Sequence, residues 1–400
     1  MNSKGVKILI AHYGMKDKAG FSRNFSLAKG LAKLNHNVVL LTTQSSGFIF
    51  PFETENRNNV RILAFPDIVP QSFRRGGFGF LSTILKAFYV LFNRFDIVQS
   101  DTGHRPASGI PCLINRFFRK SKYISEWWDF YGDSSKSKRT NFIYRNTVQK
   151  YDSFFEIRNK LNSDGVVSLS EFNRQRGLKA GIASENIIIV NGGADVDEIP
   201  FLNNTDLKKY YGIPENSLTF CLIGINEYEL EDIKPFLNVI TEFGGNSLIN
   251  WFSIGENLSQ DQRNKFEINS NYYEFGWIDY RKDSKLLSCA DVFLLLKSDN
   301  VLNKAGWPNK TGDYLAAGRP ILVNSFENIE SYLKIFPEAF IVVERTESSI
   351  RNKIQYILEN RDTIAKRNYY CRSVAEKYLS WDSKASELNS FYKRILGQAS

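Results

Sequence analysis

Close cysteine pairs are missing from this chain. Its 400 residues include four cysteines, Cys112, Cys221, Cys289 and Cys371, each so far from the next that none of the short spacings zinc ligands need is present. Four reduced, buried thiols are the expectation. Clusters of Asp and His at metal-ligand spacing are missing too, so no metal is expected. No apolar run reaches the roughly 20 residues that a spanning helix requires. The nearest approach, residues 78–92, is interrupted by Lys86 and reads as an amphipathic or interfacial segment. No short repeat, low-complexity tract or heptad run stands out. A signal peptide is not evident either: residues 1–5 are short and polar and lead straight into a strand pattern, which gives the expectation of a cytoplasmic protein.

What is present is size, apolar content and an uneven charge. A chain of 400 residues with 42% apolar residues exceeds what one hydrophobic core usually serves, so two domains are expected. Residues 1–200 hold 28 Lys and Arg against 17 Asp and Glu, and the remainder 24 against 26. Such a basic surplus suits nucleic acid, an anionic membrane or an anionic substrate, and its sign does not choose among them. No nucleic-acid recognition motif accompanies it, and no nucleic-acid partner is expected. Arg74, Arg75, the apolar residues 78–92 and the basic residues 116–122 together suggest peripheral docking on an anionic membrane to reach a lipid-linked acceptor.

Short apolar strands alternate with helical patterns throughout, the signature of an α/β fold with parallel sheets. The first series of strands is expected at residues 7–11, 38–42, 60–65, 96–99, 122–125 and 165–169. After a connector rich in Pro, Asn and Gly at 200–214, a second series is expected at 218–223, 248–254, 271–275, 292–296, 320–323 and 339–343. The domain boundary falls near residue 200. In open parallel sheets ligands sit beyond the carboxyl ends of the strands, so the loops there are where chemistry belongs.

Residues 303–320 read N-K-A-G-W-P-N-K-T-G-D-Y-L-A-A-G-R-P. Pro308 suits a helix start, and a helix over 309–317 sets Lys310 and Asp313 three apart on one face. A lysine with helix N-terminal amides meets phosphate oxygens, while a carboxylate accepts ribose hydroxyls. The run resembles the donor-binding signature of glycosyltransferase family 4, within the GT-B superfamily. That resemblance implies two Rossmann-like domains facing across a cleft. It assigns 1–199 to the acceptor, with a terminal helix at about 382–400 packing back on it, and 200–381 to a nucleotide-sugar donor. Asp313 falls on the family's ribose-binding acidic residue and Lys310 on the lysine of one subgroup. Ala305 stands where the family's first glutamate supports the sugar, leaving backbone groups of Gly306 and Trp307 as the nearest candidates. Gly224 matches the glycine after the first strand of that domain, Asn226 replaces or displaces an arginine, and Lys234 is a further phosphate candidate.

On the acceptor side the loop 13–23 resembles the family's glycine loop, with Gly20 on a family glycine and Arg23 just beyond it. The loops Gly103-His104-Arg105-Pro106 and Glu126-Trp127-Trp128-Asp129-Phe130-Tyr131-Gly132 follow expected strands. In the second, Trp128 and Asp129 take the positions of a family His-Asp pair, and aromatic faces beside a carboxylate suit a sugar ring. His36 reads as structural, and His12 has no assigned part. The implied reaction moves a hexose-type sugar from a nucleoside diphosphate to a glycan or lipid-linked acceptor in cell-surface polysaccharide synthesis. Retention is implied, with no required metal, and Lys310 and Asp129 are the groups set at the chemistry. Two rivals stand beside it: a nucleotide-sugar epimerase or hydrolase of the same superfamily, and a non-catalytic sugar-binding scaffold, made conceivable by Ala305 and Asn226.

Overall fold

A computed structural model describes residues 5–46, 52–130, 146–203, 205–243, 248–268, 271–278 and 283–398. The contacts divide the chain into two units. The first comprises residues 1–192, 305–307 and 381–400, and the second residues 193–304 and 308–380. The division at 192/193 falls upstream of the boundary expected near 200.

Unit 1 is built on an eight-stranded sheet of order β3-β4-β2-β1-β5-β6-β7-β8. Its strands are β1 (Lys7–Met15), β2 (Asn37–Thr43), β3 (Glu53–Arg57), β4 (Val60–Phe65), β5 (Ile97–Ser100), β6 (Lys122–Trp127), β7 (Gly165–Ser168) and β8 (Ile187–Ile189). All neighbours pair in parallel except β3 and β4. β1 runs past its expected end at Ala11, with a register shift between Ala11 and Met15 against β2. The residues on the central strands are apolar on both faces, as helices covering both sides of a sheet require; Ile8, Leu9 and Ile10 are all fully buried.

Four helices of this unit bear on function: α1 (Phe21–Lys33), α2 (Phe80–Phe92), α3 (Pro106–Arg119) and α4 (Val148–Leu161). In α2, Ser82, Thr83 and Lys86 are buried, while Phe80, Phe88 and Phe92 face solvent. The Lys86 ammonium donates to Thr43 Oγ1 at 3.1 Å and to the carbonyls of His12 and Ala107, each at 3.3 Å. Burial lowers its pKa to about 8. The lysine that breaks the apolar run is thus an inward anchor.

Unit 2 carries a parallel six-stranded sheet of order β11-β10-β9-β12-β13-β14. Its strands are β9 (Leu218–Ile225), β10 (Ile249–Gly255), β11 (Tyr272–Glu274), β12 (Val292–Leu295), β13 (Ile321–Asn324) and β14 (Phe340–Val343). Helix α5 (Glu227–Glu242) covers one face, with Leu230, Ile233, Phe236 and Ile240 meeting Phe220 and Trp251 in one core. Each such side chain removed from water contributes roughly 1.5–3 kcal/mol. Helix α6 (Lys310–Ala316) follows Pro308 closely, as the position of the proline implies. The last helix, α7 (Trp381–Ile395), belongs to unit 1. It lies so near α1 that a Cβ on Gly30 would come 2.4 Å from that of Ala385. Tyr392 on α7 donates to Gln99 at 2.5 Å, and His36 bonds Asn389 at 2.9 Å.

Candidate active site

Strand order fixes where each unit offers a crevice. In unit 2 the sheet grows outward from β9 and β12 in opposite directions, so the loops at the carboxyl ends of these two neighbours diverge and open a ligand position. Gly224, the last residue but one of β9, takes φ +72°, a left-handed conformation a side chain would strain. No atom lies within 4 Å of where its Cβ would stand. Asn226 then caps α5: its side-chain oxygen accepts from the amides of Tyr228 at 2.9 Å and Glu229 at 3.1 Å. The residue standing for the family arginine therefore has a helix-capping task.

The first turns of α5 aim Glu229 and Asp232 at two lysines. Lys297, just beyond β12, reaches Glu229 at 2.8 Å and Asp232 at 3.2 Å. Its own backbone is clasped by Asn324 at the end of β13, through contacts of 2.8 and 3.0 Å. Asp232 also accepts from the amide and hydroxyl of Ser298, at 3.0 and 2.5 Å. Lys310, opening α6, lies 2.8 Å from Glu229 Oε2. Two ammonium and two carboxylate groups thus neutralise one another. Burial pushes the Glu229 carboxyl up, but Lys310 and Lys297 outweigh it and hold the group below its ordinary range. Burial lowers the Lys310 ammonium despite Glu229.

Asp313 sits one turn along α6 from Lys310 and keeps partial exposure. Burial first, and Asp195 second, raise its carboxyl to about 7. Gly312 beside it packs on backbone, since a Cβ there would come 3.1 Å from the amide nitrogen of Ala194. Lys234 is exposed and lies five residues beyond Glu229, about 140° around the helix; it is not brought to the Lys310 cluster. Ala305, Gly306 and Trp307 group with unit 1 rather than with the lysines, and Ala305 and Trp307 are buried.

In unit 1 the sheet diverges at β1 and β5. There His12 and Asp101, one beyond each expected strand end, meet at 2.5 Å through His12 Nδ1 and Asp101 Oδ2. Asp101 also accepts from Asn24 Nδ2 at 2.9 Å and from the Tyr13 amide at 3.1 Å. A carboxylate so supplied with donors fixes the imidazole with its proton on Nδ1. Nε2 has no hydrogen-bond partner among the described residues. It faces the glycine loop: a Cβ on Gly14 would come 2.9 Å from it. Gly20 takes φ +81°, and a Cβ there would stand 2.7 Å from the Trp128 ring. His12, Gly20 and Trp128 are therefore neighbours.

Of the other acceptor-side candidates, Arg23 is tied to Trp128 through Glu126, while His104 and Arg105 pair elsewhere. The Arg23 guanidinium is buried and donates to the carbonyls of Val190 and Asn191, at 2.9 and 3.0 Å, and to Glu126 at 3.2 Å. Trp128 Nε1 donates to the same Glu126 at 2.6 Å. Both residues thus hold unit 1 together internally. Arg105 pairs with Asp152 at 2.8 Å, and His104 Nε2 lies 3.4 Å from it. Burial, opposed by Arg105, raises Asp152 to about 6, and burial drives the His104 imidazole well below its ordinary value. Asp129 is exposed just after β6. Tyr131 and Gly132 lie outside the described residues. Glu229, Lys297 and Asp232 in unit 2, and Asp101 and Asn24 in unit 1, carry no motif; only their positions just past strand ends or at the start of a helix mark them.

Among the described residues no group of three or more His, Cys, Asp or Glu is placed to hold a metal ion, and no helix is long and apolar enough to cross a membrane. No protein-family model matches the sequence, and no curated protein matches it. Solved structures do match. A glycosyltransferase from Rickettsia africae superposes with a TM-score of 0.69 at 14% identity, over 99% of this chain and 100% of the other. The fold is that of GT-B glycosyltransferases. WaaG, a glycosyltransferase involved in lipopolysaccharide biosynthesis, gives 0.68 at 12% identity over 98% of this chain and all of its own. HepE of Anabaena, in complex with UDP and glucose, gives 0.67 at 10% identity over 97% and 100% of the two chains.

Proposed function

We propose that this protein is a nucleotide-sugar-dependent glycosyltransferase acting in the cytoplasm. It moves a hexose-type sugar from a nucleoside diphosphate to a glycan or lipid-linked acceptor in the making of a cell-surface polysaccharide. The observation that carries this is Lys310: an ammonium at the divergence of β9 and β12, held 2.8 Å from Glu229. An incoming diphosphate offers that lysine further charged acceptors beside Glu229. Asp313, one turn on, accepts the ribose hydroxyls, and Gly224 lets the diphosphate approach the backbone. As the bond from the anomeric carbon to the diphosphate breaks, Lys310 neutralises the departing oxygen. The acceptor hydroxyl bonds to that carbon, and its proton passes to the diphosphate on the same face, which retains configuration. Unit 1 supplies the acceptor site, with Asp129 and the ring of Trp128 on the sugar.

HepE, solved with UDP and glucose, makes uridine diphosphate the first nucleotide to try, and WaaG's part in lipopolysaccharide synthesis supports a polysaccharide product. The test is a thermal-shift panel of nucleoside diphosphates, followed by donor turnover with and without acceptor glycans. A ligand that binds only the folded form raises the melting temperature. Stabilisation lost in Lys310→Met, with nucleotide released only when acceptor is present, is the expected result. Donor consumed alone without nucleotide release would make the protein an epimerase instead. His12 favours a second reading of the stereochemistry: an imidazole oriented by Asp101 suits proton removal from an acceptor hydroxyl and direct displacement with inversion. The anomeric configuration of the product, read by NMR, separates the two.

A further inference from the structure

Helix α2 turns Val90, Leu85 and Tyr89 to the core and also carries polar side chains inward and aromatic ones outward. Its polar residues Ser82, Thr83 and Lys86 are buried, while Phe80, Phe88 and Phe92 are 65%, 58% and 73% exposed. These three phenylalanines and Ile84 recur every fourth residue and so form one stripe along the helix. Beside them α3 exposes Phe117 and Phe118, at 69% and 60%. A groove of about 530 Å³ runs between the two helices, its walls including Phe80, Ile84, Phe88, Ile110 and Phe118. Single exposed apolar residues are ordinary; a continuous aromatic ridge along a groove is not, and it marks a surface that is covered in use.

The charge around the groove selects what covers it. Neither residues 68–95 nor residues 102–125 contain an Asp or Glu, whereas Arg94, Arg119 and Lys120 are exposed at the ends of α2 and α3. Lys120 Nζ lies 5.7 Å from the centre of the Phe117 ring, and Arg119 is turned onto the carbonyl of Leu91 at 2.6 Å. The cations are thus set at the rim of the aromatic ridge. A second copy of the same face would oppose like charges. An anionic bilayer answers both features at once, since rings enter the acyl boundary while the basic rim meets phosphate head groups.

We infer that the paired helices α2 and α3 are a docking surface for an anionic lipid bilayer, with Phe80, Phe88 and Phe92 as the inserting side chains. The surface is read without sugar donor or acceptor, so it stands or falls separately from the transfer reaction. The test is flotation of the full chain with vesicles of phosphatidylcholine alone and of equal parts phosphatidylcholine and phosphatidylglycerol. Binding to the anionic vesicles only, weakened by added salt, is expected. Phe88→Ser combined with Phe92→Ser reduces it by at least about tenfold, and Arg119→Gln with Lys120→Gln by about fivefold per charge. All four side chains are exposed, so melting temperature stays at the wild-type value and a folding defect is separable. Absence of binding to anionic vesicles at low salt overturns the inference, as do variants that float like wild type. So does a dimer in sedimentation velocity that the phenylalanine pair abolishes, because the ridge would then be a contact between copies.

Discussion

Replacing Lys310 with methionine keeps the length of the side chain and deletes its charge. In the resting structure Glu229 retains Lys297 at 2.8 Å, so the protein still folds and its melting temperature moves little. Nucleotide binding responds on two counts. One charge-assisted hydrogen bond to phosphate is lost, worth about 1.5–3 kcal/mol. The cluster of two lysines and two carboxylates also turns net negative. A diphosphate about 6 Å from the uncompensated carboxylate is repelled by up to about 3 kcal/mol at an effective dielectric near 20, before salt screening. At 1.4 kcal/mol per decade the affinity falls about a hundredfold or more. Glu229→Gln reverses the sign: it releases Lys310, leaves the cluster net positive, and tightens binding about tenfold. Isothermal titration with a nucleoside diphosphate measures both. A methionine variant binding within about twofold of wild type, at unchanged melting temperature, would refute the assignment of the lysine to the diphosphate.

Two further perturbations follow from the same geometry. Asp313 has a folded pKa of about 7, above its ordinary value near 4, so the folded form holds its proton more tightly than the unfolded chain. That stability is complete below pH 4 and disappears as pH rises through 7. Asp313→Asn therefore flattens the decline and gains about 1–3 kcal/mol at pH 8, read from urea midpoints at several pH values; an unchanged pH profile would contradict it. Asp101→Ala strips the acceptor from His12 Nδ1, Asn24 Nδ2 and the Tyr13 amide. It should cost about 3–5 kcal/mol in urea unfolding, and a cost below about 1 kcal/mol would show that the buried pair is not an anchor.

Periodicity located twelve of the strands because each is an apolar run with turn residues on both sides. It passed over β3, whose sequence Glu-Thr-Glu-Asn-Arg is polar because an edge strand meets water, and β8, a run of three isoleucines. The placement of Lys310 and Asp313 on one helix was legible because their spacing is local. Their environment was not, since Glu229 meets Lys297 across 68 residues of sequence and His12 meets Asp101 across 89. Arg23 misled for a related reason: a basic residue beside a glycine loop reads as a ligand contact, and only the folded chain supplies the carbonyls of Val190 and Asn191 that take it up. The apolar run 78–92 was legible as amphipathic, but its sense was not, because nothing local to Lys86 announces three buried acceptors.

The return of α7 to α1 sets an order on biosynthesis. A ribosome finishes the strands of unit 1 long before it makes residues 381–395, and domains ordinarily fold as they emerge, amino end first. Here the flank of α1 at Gly30 stays bare until α7 arrives, and Gln99 waits for the Tyr392 hydroxyl. Strands made before unit 2 are thus completed by a helix made after it. A stop codon just ahead of Trp381 would leave unit 2 whole and injure unit 1.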